Sequence, residues 1–489
     1  MWNLYEGLLL LLLCVIIFKY LKIIWAARNL PPGPIPVPLI GNLWTLNFQI
    51  HPETLIKLAK LHGNIYTLWL GETPLVVLNG CRAVKDGIVS HSEELSGRPV
   101  AGFLRAILHG KGIVTSNGHM WKQHRRFALM TLRNLGLGKC GLESRIKEEA
   151  CCLVELFKTK NGEPFDPSEM ITNSVVNVIS AVVFGHRFSI DDGIFQNLVK
   201  CNHSLLEIIG SAWGRLYDSF PWLMKHLPGP HQKAFEIMEH LHQFTDNEIR
   251  IHKENGSLEE PQDVIDYYLA HISKIEGEKE SIFNEDSLIA LVIEFFNAGT
   301  ETTTTSLQWA LLCMVAYPDV QKKVHEELDA VLNGPVIYYE DRKRLHYTNA
   351  VIHEIQRFGS VAAVGLARTC IRDVSISGYS LHKNTMVLAN LDSVLRDSQH
   401  WKTPYQFNPH HFLDKNGKFS ANEAFLPFSA GARVCIGEQL ARYELFIFFT
   451  ILMQSFSFHL PEGVTEVNTQ YVFKTNLQPH PYKICAVPR

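Results

Sequence analysis

Near the C-terminus the chain reads Phe428-Ser-Ala-Gly431-Ala-Arg433-Val-Cys435-Ile-Gly437, with an amphipathic stretch, Glu438 to Phe449, directly after it. A thiolate at such a helix start meets free backbone N–H groups and the positive end of the dipole, which lower its pKa and temper its charge. Gly431 and Gly437 let the backbone approach a flat ring, and Phe428 packs beside it. A haem iron held by a thiolate favours O–O cleavage over reversible O2 carriage. The bland reading of a lone cysteine is a buried structural residue. The glycines, arginine and phenylalanine gathered around Cys435 argue against it.

A second group lies in the longest helical stretch, which runs from Asn284, an N-cap residue, to Tyr317 before Pro318. Its middle reads Glu294-Phe-Phe-Asn-Ala298-Gly299-Thr300-Glu301-Thr302-Thr303. Glycine and clustered threonines are poor helix formers, so an opened turn is expected there, with carbonyls and the Thr302 hydroxyl free to hold water. Glu294, Ala298 and Thr302 share a face, and small Ala298 leaves room for a flat cofactor and its diatomic ligand. A hydroxyl beside a carboxylic acid, Thr302 next to Glu301, is a suitable proton relay to a bound peroxide.

Two further pairs stand on helices. Glu354-Ile-Gln-Arg357 sets opposite charges at i, i+3 among apolar neighbours. Trp121-Lys-Gln-His-Arg125 offers an indole N–H and a guanidinium at i, i+4. With Arg368 and Arg433 these are donors for carboxylates, which the arginine fork binds bidentately. Lys122, Arg126, Arg133 and Lys139 add a local basic cluster to a protein of net charge -3. A solvated face is the plain reading of it, and docking of an acidic electron donor the sharper one. No glycine-rich dinucleotide fingerprint follows a strand, so electrons must come from a partner.

Together these runs resemble the cytochrome P-450 superfamily: the cysteine loop its haem-binding loop, Ala-Gly-x-Glu-Thr-Thr its oxygen-activation motif, Glu-x-x-Arg its structural brace, and Trp-x-x-x-Arg a propionate site. The resemblance implies a P-450 fold, mainly α with a small β-rich lobe, and haem b ligated by Cys435. Thr302 and Glu301 would serve protonation. Trp121, Arg125, Arg368 and Arg433 would hold the propionates, and Ala298, Phe428 and Gly437 would line the ring. Glu354 and Arg357 would brace the coil before the haem loop, with His411 of Phe407-Asn-Pro409-His-His411-Phe412 standing where many members carry arginine.

The layout is most similar to the microsomal family-2 branch, and Phe-Leu-Pro-Phe-Ser and Gly-Glu-Gln-Leu-Ala-Arg around the loop to its fatty-acid and arachidonate epoxygenases. That implies a monooxygenase that hydroxylates or epoxidises lipophilic substrates: fatty acids, steroids or xenobiotics. Its electrons would come from NADPH through NADPH-cytochrome P-450 reductase, with cytochrome b5 as an optional donor. Substrate walls are expected at 102–116, 204–214, 289–302, 360–367 and 472–476. The 360–367 segment lacks the family's usual prolines, which would widen or loosen the pocket. The rivals are a haem-thiolate isomerase or dehydratase acting on peroxides, and a haem sensor.

The elements that position these groups can be read from the rest of the chain. At 489 residues, 46% apolar and 19% charged, with no linker or repeat, it suits one large globule at residues 39–489. Residues 1–30 read as a signal anchor: Trp2 to Trp25 as a helix would span roughly 36 Å, against a bilayer core of about 30 Å. Lys19, Lys22 and Arg28 follow the apolar run, which puts the globule on the cytosolic side of the membrane; the resemblance to microsomal members implies that this is the endoplasmic reticulum membrane. Residues 31–38, Pro-Pro-Gly-Pro-Ile-Pro-Val-Pro, form a stiff spacer. Scattered cysteines fit reduced cytosolic thiols, and the sequons Asn202-His-Ser204 and Asn255-Gly-Ser257 then stay bare.

A hairpin is predicted at 64–79 around Gly71-Glu-Thr73, and further strands at 374–390. Helical period marks 118–134, 142–159, 166–184, 231–253, 284–316, 318–331, 345–358 and 436–455. Residues 397–430 look nearly structureless. Trp213, Phe220, Trp222 and Leu223 either dip into the membrane or join the core.

Overall fold

The computed structural model describes residues 4–136, 140–255, 259–275, 281–332, 334 and 336–489. Trp2, Lys139 and the Gly256-Ser257 part of one sequon lie outside the described residues.

Helix α1 (Leu4–Ala27) is long and apolar enough to cross a membrane, with a mean hydropathy of 2.5 over its best window. Only Ile23 on it is buried. The proline segment after it is extended, as its composition demands, but fastened to the globule. Thr67 donates from Oγ1 to the Pro31 carbonyl (2.8 Å) and from its backbone N–H to that of Pro32 (3.0 Å). A Cβ on Gly33 would overlap the Thr67 carbonyl.

Five helices carry the rest of the argument: α2 (Gly118–Asn134), α3 (Gly193–Gly210), α4 (Glu285–Ala316), α5 (His346–Gly359) and α6 (Glu438–Ser455). The Asn284 side chain caps α4 by accepting from the Ser287 N–H at 2.9 Å, with Glu285 and Asp286 in the first turn to complement the dipole. Pro318 ends it. The opened turn expected at 298–303 is absent, and α4 is continuous. The hydroxyls of Thr300 and Thr302 donate back to the carbonyls of Phe296 (2.7 Å) and Ala298 (2.9 Å), so each hydroxyl is satisfied without breaking the helix. Gly299 has a packing reason instead: a Cβ there would lie 2.9 Å from Ile179 Cδ1, where α4 crosses helix Ser168–Val183.

The predicted helices at 118–134 and 318–331 match to the residue, and the other six differ by at most three residues at either end. Helices Pro52–His62, Phe103–Leu108, α3, Ala212–Ser219 and Val264–Lys274 were not anticipated.

Strands β1 (Ile65–Leu70) and β2 (Thr73–Leu78) form the expected hairpin, with Ile65 opposite Leu78. After β3 (Arg368–Thr369), strands β4 (Val374–Ile376) and β5 (Tyr379–Leu381) turn at Ser377 and Gly378, both at positive φ as a tight hairpin turn requires. β6 (Met386–Ala389) then returns to lie parallel to β2, giving a sheet ordered β1-β2-β6-β3. β7 (Phe456–His459) pairs with β10 (Cys485–Pro488), and β8 (Tyr471–Phe473) with β9 (Leu477–Pro479). The 397–430 coil contains one 3-10 turn, Pro409–Phe412.

Candidate active site

The cysteine loop is pinned from outside. Arg368 donates to Ser429 Oγ (3.1 Å) and to the Ala430 carbonyl (2.9 Å), while Ser92 Oγ accepts from the Ala432 N–H at 2.9 Å. Within the loop the Cys435 N–H donates to the Phe428 carbonyl at 3.1 Å. Gly431 is required by this packing: its φ is +73°, and a Cβ would overlap the Ile88 carbonyl. Nothing crowds Gly437, where the nearest atom to a Cβ would be Cys435 Sγ at 3.9 Å. The Phe428 ring lies 5.1 Å from the Arg442 guanidinium.

The thiol itself departs from the expectation of a lowered pKa. Burial pushes it up, and the Glu438 carboxylate adds to that, against the opposing pull of the Gly437 and Glu438 N–H groups and of Arg125. The helix-start effect is present and is outweighed by burial.

Cys435 nonetheless keeps accessible surface, as do Ala298 and Thr302 in a stretch of α4 whose other positions are largely buried. Accessible positions amid so much buried structure mark the walls of an internal space. On the outer side of Trp121 and Arg125 lies an open groove of about 460 Å³, lined also by Ser92, Glu93, Lys122 and Arg126.

Around the internal space stand four arginines. Arg98 and Arg368 are pushed down by burial and, for Arg98, by the positive charge of Arg368. Arg433 is lowered by burial and by Arg98, Arg368 and Arg125; burial alone lowers Arg125. Arginine stays protonated in proteins, so these depressions measure unfavourably placed positive charge. The nearby carboxyl, Glu294, is itself raised by burial and held by the N–H groups of Ile113 (2.6 Å) and Val114 (3.0 Å). Among the buried side-chain atoms without a partner are two donors of this group, Trp121 Nε1 and Arg368 Nη1.

Arg433 is tied to the backbone beside Trp121. Its fork donates to the carbonyls of Ser96 (2.7 Å), Ile113 (2.9 Å) and Ser116 (2.8 Å), and its guanidinium stacks 4.0 Å over the Trp121 ring. It fixes the indole, and its fork keeps further N–H groups beyond these three bonds. Arg98 is the cation that sequence reasoning missed. It donates to the carbonyls of Val114, Leu366 and Ala367, which spreads its fork across two chain segments. Gly97-Arg98-Pro99, an arginine in obligatorily extended backbone, was the available signal.

Glu301 does not meet the Thr302 hydroxyl. Its carboxylate accepts from Gln478 Nε2 at 2.5 Å and faces His203 Nδ1 at 3.8 Å. The brace is fully formed. Arg357 donates to both Glu354 oxygens at 2.7 Å, and also to the carbonyls of Leu395, Pro404 and Gln406. His411 Nδ1 lies 3.1 Å from Glu354 Oε2, and its Nε2 accepts from the Thr403 N–H, so Nδ1 carries the donated proton. The proline-free segment is neither loose nor free: the Leu477 N–H binds the Val361 carbonyl, Asp392 that of Ala363, and Gly365 that of Ala389.

Unmatched buried cations and orphaned donors around a walled space fit a flat group bearing two carboxylates and an axial position for sulfur, as haem does. These features define a haem-thiolate enzyme. The chain belongs to the Cytochrome P450 family, whose profile matches residues 31–486. It is 42% identical to human cytochrome P450 2J2 over 94% of this chain and 92% of the relative. It is 40% identical to dog cytochrome P450 2C21 (98% and 99% covered) and 40% identical to chimpanzee cytochrome P450 2D6 (95% and 94%). The cofactor is cysteine-ligated haem with NADPH-derived electrons delivered by a reductase, and the activity is monooxygenation of a lipophilic substrate. The peroxide isomerase and the sensor gain no support.

Proposed function

We propose that Cys435 would supply a thiolate to the haem iron, that Trp121, Arg125, Arg368, Arg433 and Arg98 would receive the propionates, Arg433 also fixing the indole, and that Ala298, Phe428 and Gly437 would border the ring. The orphaned Trp121 Nε1 and Arg368 Nη1 carry this reading, because a buried donor without a partner is costly unless a ligand completes it. When bound, the haem binds and activates O2. Thr302 Oγ1 holds the proton to be delivered, its hydroxyl parked on the Ala298 carbonyl. Glu301, one residue away, restores it from the solvent side. Glu354, Arg357 and His411 keep the coil before the loop in place.

The exposed Lys122, Arg126 and Arg133 on α2 form the docking face for the electron donor, NADPH-cytochrome P-450 reductase, with cytochrome b5 as a second. Residues 1–30 anchor the chain in the endoplasmic reticulum membrane, 31–38 join the anchor to the globule, and 39–489 form the catalytic domain on the cytosolic face. Exposed Trp222 and Leu223 rest on that membrane, while half-buried Phe220 packs inward and Trp213 stacks on His231. The side chain of Asn202 is buried, so its sequon stays bare in the folded protein. Substrates are fatty acids such as arachidonate, steroids or xenobiotics, hydroxylated or epoxidised.

The test is the absorption spectrum of the reduced, CO-bound protein beside Cys435→Ala. A strongly red-shifted Soret band in the wild type, lost in the variant, is expected. A band typical of histidine ligation would overturn the assignment. Product formed per NADPH then tests the relay, which should drop in Thr302→Ala.

A further inference from the structure

Behind the cysteine loop stands a charged group that the site described above does not use. Glu438 opens α6 shortly after Cys435, and Arg442 follows one turn on. The guanidinium donates from Nε (3.0 Å) and Nη2 (2.9 Å) to one carboxylate oxygen, Glu438 Oε1. Its third arm reaches α5, where Arg442 Nη1 lies 3.2 Å from His353 Nε2. The other imidazole nitrogen, Nδ1, lies 2.7 Å from the Asn349 carbonyl, which can only accept. Nδ1 therefore carries the proton, and Nε2 offers its lone pair to the guanidinium. Burial, with the positive charges of Arg442 and Arg342, pushes this imidazole down to about 4 against the bond to Asn349, so it is neutral. Its ring is wedged among Phe412, Phe419 and Phe425, with centroids 5.5, 4.6 and 5.0 Å away.

The plain reading is an i, i+4 pair on one helix face, of little consequence where both side chains stand in water. Here the Glu438 and Arg442 side chains are only 33% and 26% exposed, and the guanidinium is tied to a second helix through a buried neutral histidine. A surface pair needs no such anchor. The carboxylate matters because of where it stands. Burial raises the Cys435 thiol, and the Glu438 charge acts in the same direction, disfavouring a second negative charge. By the same Coulomb argument it disfavours adding an electron to an iron held by that sulfur. A cation fixed on the carboxylate cancels the effect.

We propose that Arg442 and His353 are positioning residues that set the reduction potential of the haem: the guanidinium neutralises the Glu438 carboxylate, and the imidazole holds the guanidinium there. This rests on the assignment of Cys435 as the haem ligand above. The step concerned is the addition of one electron, ferric to ferrous, from NADPH through the reductase. An uncompensated Glu438 makes that electron harder to accept, and the Arg442–His353 pair keeps it within reach. His353 directly precedes Glu354 of the brace on α5, so one helix holds both the coil before the loop and the charge balance behind it.

The experiment uses the full-length haem-loaded protein without substrate. The ferric/ferrous midpoint potential is read by spectroelectrochemical titration with mediator dyes, and the reduced, CO-bound spectrum is recorded for every variant. Arg442→Gln should move the ferrous/ferric ratio at fixed potential roughly two- to fivefold toward ferric, the scale of one partly exposed ion pair. That is about 20–40 mV at 59 mV per tenfold for one electron. Glu438→Gln should move it the other way, and the double variant should fall between the two. His353→Leu changes no charge, so it should shift the potential in the direction of Arg442→Gln and do nothing in the double variant, where no guanidinium remains to be held. An unmoved potential in Arg442→Gln, or shifts of one sign in Arg442→Gln and Glu438→Gln, overturns the proposal, and these two partly exposed positions keep it testable if His353→Leu fails to fold. A His353→Leu shift that persists in the double variant overturns the role of the histidine, because the ring then acts through packing alone. A wild type without the red-shifted CO band removes the thiolate assignment and this proposal with it. A red-shifted band in every variant with unmoved potentials removes this proposal alone.

Discussion

Two clusters of buried charge, treated alike by the sequence, have opposite characters in the structure. In the Glu354–Arg357–His411 brace, side-chain exposures are 0%, 0% and 4%, and the glutamate oxygens, the guanidinium and the imidazole nitrogens all have protein partners. Around the cysteine loop four arginines crowd together, Glu294 is the carboxyl that acts on Arg433, and Trp121 Nε1 and Arg368 Nη1 have no protein partner. A closed cluster fixes the fold, because its loss strands a charge in the interior. An open one is strained until something anionic enters. The number of unmet donors, rather than the number of charges, tells a brace from a binding site.

The sharpest way to break this contrast is Arg357→Ala. It leaves Glu354 buried without its cation and frees the carbonyls of Leu395, Pro404 and Gln406, so a loss of about 3–5 kcal/mol is expected. The apoprotein and the loaded protein should suffer alike in denaturant unfolding. Trp121→Phe should behave the other way. The indole donates to no protein atom, so the unloaded chain loses only packing, while haem retention loses a hydrogen bond to a charged group. That is about 1.5–3 kcal/mol, or roughly tenfold or more in the rate of haem transfer to apomyoglobin. Equal damage to both forms by Trp121→Phe would mean the indole is merely structural.

Legibility in the sequence followed how local each determinant was. The hairpin at 65–78 and the helix at 118–134 are written in period and in turn residues, and the structure has them where expected. The brace was legible because both charges stand on one helix. α3 and the helix at Phe103–Leu108 were missed, and so was the C-terminal hairpin β8–β9; their roles depend on what they cover more than on their own pattern. The reasons given for the glycines were the weakest part. Gly299 was assigned to an opened turn, but its packing against Ile179 explains it, and the contact of Gly431 with the Ile88 carbonyl was not foreseen. A contact made across the fold leaves no trace in spacing. Arg98 and the partners of Glu301 were invisible for the same reason, since 98 meets 366 and 301 meets 478 only once the chain has folded.

A third buried charge site sharpens the contrast from the other side. Glu444 on α6 is buried, its Oε2 has no hydrogen-bond partner, and burial alone pushes its carboxyl well above the usual range. It has neither the partners of the brace nor the ligand of the cradle, and it therefore keeps its proton. The sign follows from linkage. The unfolded chain releases that proton near the ordinary glutamate value while the folded chain holds it, so this group's contribution is fully present below that value and is lost as pH rises through the folded one. Glu444→Gln removes the ionisation and should flatten this part of the pH dependence. The gain is absent below the ordinary glutamate value and grows as pH rises through neutral toward alkaline, because only wild type must hold a proton that its unfolded chain has released. Denaturant unfolding at several pH values measures it. If the glutamine variant is less stable than wild type at every pH, Glu444 has a partner that makes it a second brace, and unmet donors and acceptors no longer separate the two kinds of site.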